Sequence, residues 1–348
     1  MVSFKVFRGT PEGKIVADNV ERELENHEVF IETTHSGVCG TDKLYMTSGV
    51  VLGHEGVGIV KAVGSAVTNV KNGDRVGFGY THQICGHCDN CCTDRDQYCR
   101  DRQIYGFSDF NNGSFSYGAV WDSKTVCPIP EGYDSADAAP LLCAGSTVWT
   151  CLTQYGLRPL ESVGIVGIGG LGHLAIKLAA AMGNHVVVFS SSESKRQEAM
   201  EYGASEFHVY KSGDKAPEGL KPVKHLLLCG SANIDYSGYV SSSIAFLEPK
   251  LTNDSLASIV DYDGSIYPLT ASLEATPVPL TELSLKGIRI QGSLVGSRDS
   301  VRKLLEFVAR KNITPTTMKY SLNEEGIEKA LHDLKDGKVR YRAVLVKE

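Results

Sequence analysis

Residues 163–172 constrain the fold more than any other stretch. The apolar run Val163-Gly-Ile-Val166 leads directly into Gly167-Ile-Gly169-Gly170-Leu171-Gly172, and an apolar-periodic segment from His173 to Gly183 follows. A strand that turns on glycines into a helix belongs to a βαβ unit, whose next strand lies parallel in the same sheet. The glycines fall at the G-x-G-x-x-G spacing. Lacking Cβ atoms, they allow a tight turn and close approach of a pyrophosphate, which the helix N-terminus meets with free N–H groups and positive potential. Alone the spacing is weak, but the strand before it and the helix after it supply the context it needs. Gly167, Gly169, Gly170, Leu171 and Gly172 are therefore expected to hold dinucleotide phosphates.

The texture of the chain changes just before this unit. Up to about residue 140 the β-type runs EVFIETTHSG, GVGIVKAVG, DRVGFGY and AVWDSKTVCPIP are broken by glycines and turn residues, which reads as an all-β, barrel-like region. From about Ser146, strands alternate with helical segments: ESVGIVGIGG, LGHLAIKLAAAMG, HVVVFSSS, ESKRQEAMEYG and KHLLLCGS. The polar stretch from about Lys211 to Lys221 reads as a surface loop. Near the end, DSVRKLLEFVARKN places Val301, Leu304, Leu305 and Val308 on one helical face. A second helix, EEGIEKALHDLKDG, closes on Gly337 as a C-cap, and VRYRAVLV forms a final strand. At 348 residues the chain accommodates two cores.

A net charge of −6 without any long Lys/Arg block excludes an electrostatic footprint for nucleic acid or an anionic membrane, so small neutral substrates fit better. No stretch approaches the ~20 uninterrupted apolar residues of a membrane span. The start, MVSFKVFRGT, lacks a basic region followed by an apolar one, and a cytoplasmic location is expected.

About 20 residues past the glycine turn, an NAD site places an acidic residue on the ribose 2′-hydroxyl. Here the strand HVVVF runs instead into Ser190-Ser191-Ser192, with Lys195 and Arg196 following and Glu193 between. Hydroxyls and a cation hold a 2′-phosphate where an acid repels it, so NADP(H) is favoured.

Of ten cysteines, five crowd between Cys85 and Cys99, the distribution of metal ligands in a reducing compartment. Cys85, Cys88, Cys91 and Cys99 are spaced C-x2-C-x2-C-x7-C, and four thiolates make a closed, structural Zn²⁺ site. Cys92 could replace Cys91; regular three-residue steps favour Cys91. A second metal is expected from Cys39, in GVCGTD, His54, in GHEG, and Cys143, a mixed set that leaves Zn²⁺ one open position.

The ordered set GVCGTD, GHEGVGIV, the four-cysteine run ending QYC, APLLCAG and GIGGLGH resembles the zinc-containing medium-chain alcohol dehydrogenases, and most of all their cinnamyl-alcohol-dehydrogenase-like branch, over nearly the whole chain. The resemblance implies a GroES-like catalytic domain, residues 1–145 and 291–348, interrupted by a Rossmann domain with a doubly wound parallel sheet, residues 146–290. It implies two zinc ions per chain and NADP(H), acting on a small alcohol or aldehyde. It assigns Cys39, His54 and Cys143 to the catalytic zinc, with Glu55 as an alternate ligand, Asp42 as the carboxylate that orients His54, and Thr41 as the hydroxyl that contacts the substrate oxygen. Ser190, Ser191, Ser192 and Lys195 match the branch's 2′-phosphate contacts. A homodimer joined through the strand around Gly287–Val295 is also implied.

Two departures stand out. Leu44 occupies the place where many relatives carry a His at the outer end of a proton relay, and the segment between Cys39 and His54 is shorter than in many of them, implying a more open pocket. The rival readings are an NADPH-dependent reductase of activated C=C bonds on the same fold, and a non-catalytic NADP-binding scaffold.

Overall fold

Continuous apolar strands alternate with helices in the middle of the chain, and alternating apolar and polar strands dominate its two ends, so two kinds of sheet form. The computed structural model describes residues 1–211, 214, 216–230, 236–240, 259–270 and 275–348. The chain divides into two units, Met1–Thr147 with Leu294–Glu348, and Val148–Ser293.

In the first unit, Thr317–Ser321, Arg342–Val346, Glu28–Val38, Gly56–Val63, Arg75–Phe78 and Cys127–Pro128 lie side by side in a seven-stranded sheet, and Ala119–Asp122 pairs with Glu28–Val38. The first two strands run parallel and every other pair is antiparallel. Alternate residues Val29, Ile31, Val60, Val76, Phe78 and Trp121 form one core. The helix Glu324–Lys335, capped by the Asn323 side chain on the Gly326 N–H, lays Ile327, Ala330 and Leu331 onto another core with Phe7, Val38 and Leu345. Gly337 follows it in the left-handed region, φ +70°, where a residue with a Cβ would be strained. The helix Arg298–Lys311 buries Val301, Leu304, Leu305 and Val308, the face that periodicity predicts.

The sequence reading missed an antiparallel hairpin, Val2–Gly9 with Ile15–Arg22. It also took AVWDSKTVCPIP as one β-type run, which the structure divides. The Asp122 side chain accepts the Lys124 N–H at 2.9 Å, closing a turn at Ser123–Thr125 between the strands Ala119–Asp122 and Cys127–Pro128.

Among the described residues, the second unit holds a six-stranded sheet in the order Glu206–Val209, His185–Ser190, Ser162–Val166, Val223–Leu228, Val260–Pro268 and Arg289–Ile290. All five pairings are parallel. The order reverses beside Ser162–Val166, and in such sheets the crevice beyond the carboxyl ends at that reversal takes ligands. The expected edge strand around Gly287–Val295 contracts to Arg289–Ile290. Val295 itself has φ +34°, outside the extended range a strand requires. The stretch around Lys211–Lys221 has neither helix nor strand at its described positions, while residues 212, 213 and 215 lie outside them, as does Ser231 at the end of KHLLLCGS.

Candidate active site and metal centres

The four-cysteine loop is local in construction. Cys85 and Cys88 precede the short helix Asp89–Cys92, and Cys99 follows the turn Asp96–Tyr98. Its sulfurs lie 3.8 Å (Cys85 to Cys91), 3.6 Å (Cys88 to Cys91) and 3.6 Å (Cys85 to Cys99) apart. All four Sγ atoms fall within 4.8 Å of one another. Cys92, one step of about 100° further round the helix, is exposed and turns its thiol to the His87 carbonyl at 3.5 Å, outside this set. The N–H groups of His87 and Cys88 pull the Cys85 thiol down to about 6, while burial pushes Cys91 up to about 12. The loop is tied to the start of the helix Arg298–Lys311, because Asp96 accepts both the Arg298 N–H at 3.1 Å and its Nε at 2.6 Å.

The mixed cluster is assembled from the joints between elements. Cys39 leaves the strand Glu28–Val38 and opens the turn Gly40–Tyr45, and His54 and Glu55 precede the strand Gly56–Val63. Cys143 sits between the turn Ala139–Leu142 and the helix Ala144–Thr153. Ligand atoms of Cys39, His54, Glu55 and Cys143 lie within 4.8 Å of one another. Asp42, wholly buried, meets His54 Nδ1 at 2.8 Å with one oxygen and accepts the Cys39 N–H at 2.8 Å with the other. A carboxylate on Nδ1 fixes that nitrogen as the N–H and leaves Nε2 its lone pair. His54 Nε2 is buried and has no partner among the described residues. Such an orphaned acceptor beside two sulfurs fits a metal ion with an open position.

The charges reinforce one another. Burial opposes a charged His54, yet Asp42 and Cys39 together hold its pKa well above the usual value. The hydrogen bond with Cys143 draws the Cys39 thiol well down, while the same contact and burial push Cys143 up. Burial raises Glu55 to about 7 against the opposing pull of Arg342.

Sequence reasoning missed Arg342. Although VRYR was noted as part of a strand, nothing in the spacing connects it to Glu55. Its Nη2 reaches Glu55 Oε1 at 2.6 Å and also contacts Oε2, and the Ala144 N–H donates to Oε1 at 3.3 Å. Thr41 is half-buried, its hydroxyl 3.7 Å from Cys39 Sγ, and Leu44 is 51% exposed. Tyr80 and Tyr105, also unread in the sequence, pack their rings against His54 at centroid distances of 5.7 and 4.7 Å.

In the second unit, Gly167 takes φ +89°, and a Cβ on Gly172 would stand 1.9 Å from the Gly167 carbonyl oxygen. Both positions require glycine. A Cβ on Gly169 would meet nothing within 4 Å, so its open side leaves room for a phosphate. Gly170 and Leu171 complete the turn, with Leu171 as the N-cap of the helix Gly172–Ala181. Ser190 is buried, Ser191 and Ser192 are exposed, and Lys195 reaches back to the Ile168 carbonyl at 2.6 Å, bringing its ammonium to the glycine turn. Glu193 is paired with Arg196, which offsets the acid within this loop.

The family pattern described as the alcohol dehydrogenase GroES-like domain matches residues 25–131, and that described as zinc-binding dehydrogenase matches residues 170–310. The chain is 34% identical over 338 residues to an alcohol dehydrogenase of Geobacillus stearothermophilus, covering 94% of each chain. It is 35% identical to a probable cinnamyl alcohol dehydrogenase of Aralia cordata, covering 93% of this chain and 89% of the relative. Among solved structures, a cinnamyl alcohol dehydrogenase of Sorghum bicolor superposes with a TM-score of 0.85 at 28% identity, covering 99% of this chain and 98% of that one. A Helicobacter pylori counterpart complexed with NADP(H) does so with a TM-score of 0.84 at 25% identity and the same coverage, 99% and 98%.

Proposed function

Since the chain belongs to the zinc-containing medium-chain alcohol dehydrogenases, in their cinnamyl-alcohol-dehydrogenase-like branch, we propose that it is an NADP(H)-dependent enzyme carrying one catalytic and one structural zinc that interconverts a small alcohol and its aldehyde. The observation that carries this reading is the convergence of Cys39, His54 and Cys143 around the unpartnered His54 Nε2. A zinc ion there supplies Lewis acidity of the kind that draws the pKa of bound water from about 15.7 to about 7, and NADP(H) accepts or returns hydride at its nicotinamide.

The chain's own residues do the rest. Cys39, His54 and Cys143 would hold a zinc ion through two sulfurs and one imidazole nitrogen, with Glu55, whose carboxylate Arg342 secures, as an alternate ligand. Asp42 keeps the imidazole in the tautomer that directs Nε2 at the ion. The Thr41 hydroxyl would accept the hydrogen bond of the substrate hydroxyl while passing its own proton on to solvent, and in reduction would donate to the developing alkoxide while taking a replacement proton from solvent, so that its own protonation is unchanged over the step. Gly167, Gly169, Gly170, Leu171 and Gly172 hold the pyrophosphate, and Ser190, Ser191, Ser192 and Lys195 hold the 2′-phosphate. Cys85, Cys88, Cys91 and Cys99 hold the structural zinc. Because cells keep NADP largely reduced, aldehyde reduction is the net direction.

None of the ten cysteines is paired in a disulfide, and the reading places the protein in the reducing cytoplasm; among the described residues no helix is long and apolar enough to cross a membrane. The open edge at Arg289–Ile290, with Leu280 and Leu285 exposed nearby in sequence, supports a homodimer.

The test is metal counting with turnover. Two zinc ions per chain and aldehyde-dependent oxidation of NADPH in preference to NADH are expected; one ion and no turnover would leave only a scaffold. Leu44, exposed where relatives place a relay His, favours the C=C reductase reading, which a saturated aldehyde as the product of a cinnamaldehyde-type enal would establish. Ser190→Asp is expected to weaken NADPH, and an unmoved cofactor preference would remove the serine run from that assignment.

A further inference from the structure

Of the ten cysteines, Cys92 alone is exposed. It ends the short helix Asp89–Cys92, for which Cys88 is the N-cap, and its N–H donates to the Cys88 carbonyl at 2.9 Å. That bond closes one α-turn, which sets the two Cα atoms about 6 Å apart, inside the span of roughly 4.4–6.8 Å that a disulfide bridges. Side chains on a helix lean toward its N-terminus, so the Cys92 thiol lies back over the preceding turn. There it donates to the His87 carbonyl at 3.5 Å, and that carbonyl is bonded directly to the Cys88 nitrogen.

Cys88 is half-buried, with its Sγ 3.6 Å from that of Cys91 within the four-sulfur set. Cys91 is the poorer partner for Cys92. A trans peptide holds neighbouring Cα atoms about 3.8 Å apart, short of the disulfide span, and Cys91 is buried. Two thiols one turn apart are thus placed to join, one of them open to solvent and the other a member of the set.

We propose that Cys88 and Cys92 form a peroxide-sensitive pair, in which oxidation of the exposed thiol withdraws Cys88 from the four-cysteine set. The inference rests on the reading of that set as a zinc site. The Cys92 sulfur attacks one oxygen of hydrogen peroxide. An S–O bond forms, the O–O bond breaks, water leaves with the thiol proton, and the oxidised sulfur is a sulfenic acid. The Cys88 thiolate then attacks that sulfur, the S–S bond forms as the S–O bond breaks, and the departing hydroxide takes a proton from solvent. Peroxide is reduced to two waters while two sulfurs are joined. Three thiolates remain, one short of the closed four-donor shell of a structural zinc.

The test treats the zinc-loaded full chain with hydrogen peroxide in the presence of a chelating dye, and maps the thiols by alkylation and tandem mass spectrometry. One ion per chain is expected to leave, with Cys88 and Cys92 linked and Cys39 and Cys143 still reduced. A dithiol with added zinc should reverse both changes. Cys92→Ser is expected to keep the untreated unfolding midpoint and to release the ion at least about tenfold more slowly under the same peroxide, since every remaining loop thiol is less exposed. Release from Cys92→Ser at the wild-type rate overturns the proposal, as does oxidation of Cys92 without a link while the ion stays bound. A link from Cys92 to any cysteine other than Cys88 also overturns it. An untreated wild-type chain whose Cys85, Cys88, Cys91 and Cys99 hold no ion removes the zinc reading itself, and the switch with it, before any oxidant is added.

Discussion

The four-cysteine loop draws every sulfur from Cys85 to Cys99, whereas the mixed cluster gathers Cys39, His54, Glu55 and Cys143 from separate joints between elements and takes Arg342 from the last strand. Around the loop's sulfurs, Ile84 is the buried apolar neighbour in the same core cluster. So small an apolar cover contributes little, and on the proposed reading cohesion comes from an ion the four thiolates would hold. The mixed cluster is framed by the sheet, with its carboxylate, guanidinium and ring partners buried around it. On that reading one centre would be held together by its ion, while the other is framed without one.

The largest test of this contrast removes a ligand from each. Cys99→Ser should forfeit most of a stabilisation on the order of 10 kcal/mol, seen as one zinc lost per chain and a sharply lower unfolding midpoint. The activity of molecules still folded should stay within about threefold, since the metal that does the chemistry is the other one. Cys39→Ser should show the reverse. Turnover should fall by at least about 1,000-fold, equivalent to about 4 kcal/mol of transition-state stabilisation, with the unfolding midpoint changed by a few degrees at most. If both substitutions destabilise alike, the two centres do not divide folding from chemistry.

The same contrast explains what the sequence could show. A local loop writes its geometry into its spacing, so Cys85, Cys88, Cys91 and Cys99 could be read from C-x2-C-x2-C-x7-C, and even Cys92 could be weighed against Cys91. The glycine turn at Gly167–Gly172 was legible for the same reason, and so was the buried face of Arg298–Lys311. The mixed cluster was named from its residue types and from family motifs rather than from spacing. Its supports were silent: Arg342 meets Glu55 across 287 intervening steps of chain, and a tyrosine such as Tyr105 carries no local signal that its ring packs against His54. The hairpin Val2–Gly9 with Ile15–Arg22 was missed although VSFKVF alternates, its first strand having been read only for leader character.

Arg342 gives a smaller but cleaner test of the framed centre. Its guanidinium and the Glu55 carboxylate are 6% and 0% exposed, so truncating one strands the other as a buried charge. Arg342→Met should cost about 3–5 kcal/mol by denaturant midpoint, and adding Glu55→Gln should recover much of that loss. A cation beside the loop behaves differently. Lys124 donates to the Ile84 carbonyl at 3.0 Å and pairs with the buried Asp122 at 3.3 Å, but is itself 38% exposed, so water can take its place and Lys124→Met should cost less than Arg342→Met, about 1–2 kcal/mol. A Lys124 loss as large as that of Arg342 would mean the loop, too, depends on a buried charge frame.

The smallest effect concerns the strand Thr81–Gln83, which runs between the two centres, with Tyr80 against His54 at one end and Cys85 beyond the other. His82, at its middle, is 3% exposed, lies 4.2 Å from the Trp121 ring, and neither ring nitrogen has a partner among the described residues. Burial pushes its pKa down from 6.5 to about 4. Between those values the unfolded chain binds a proton that the folded chain refuses, so stability rises with pH through the window and is lost as pH falls below about 6.5. The full difference is on the order of 3 kcal/mol by pH 4. It is read as the gap between wild type and His82→Phe in urea midpoints from pH 7 to 4, which cancels the acid lability that both share at their metal ligands. The two curves should separate as the pH falls, wild type dropping below the variant, if the phenylalanine packs as well as the neutral imidazole, or converge and then cross if it packs worse. Parallel curves would mean that His82 takes up its proton without loss, and that the strand joining the two centres is open to water rather than a dry link between them.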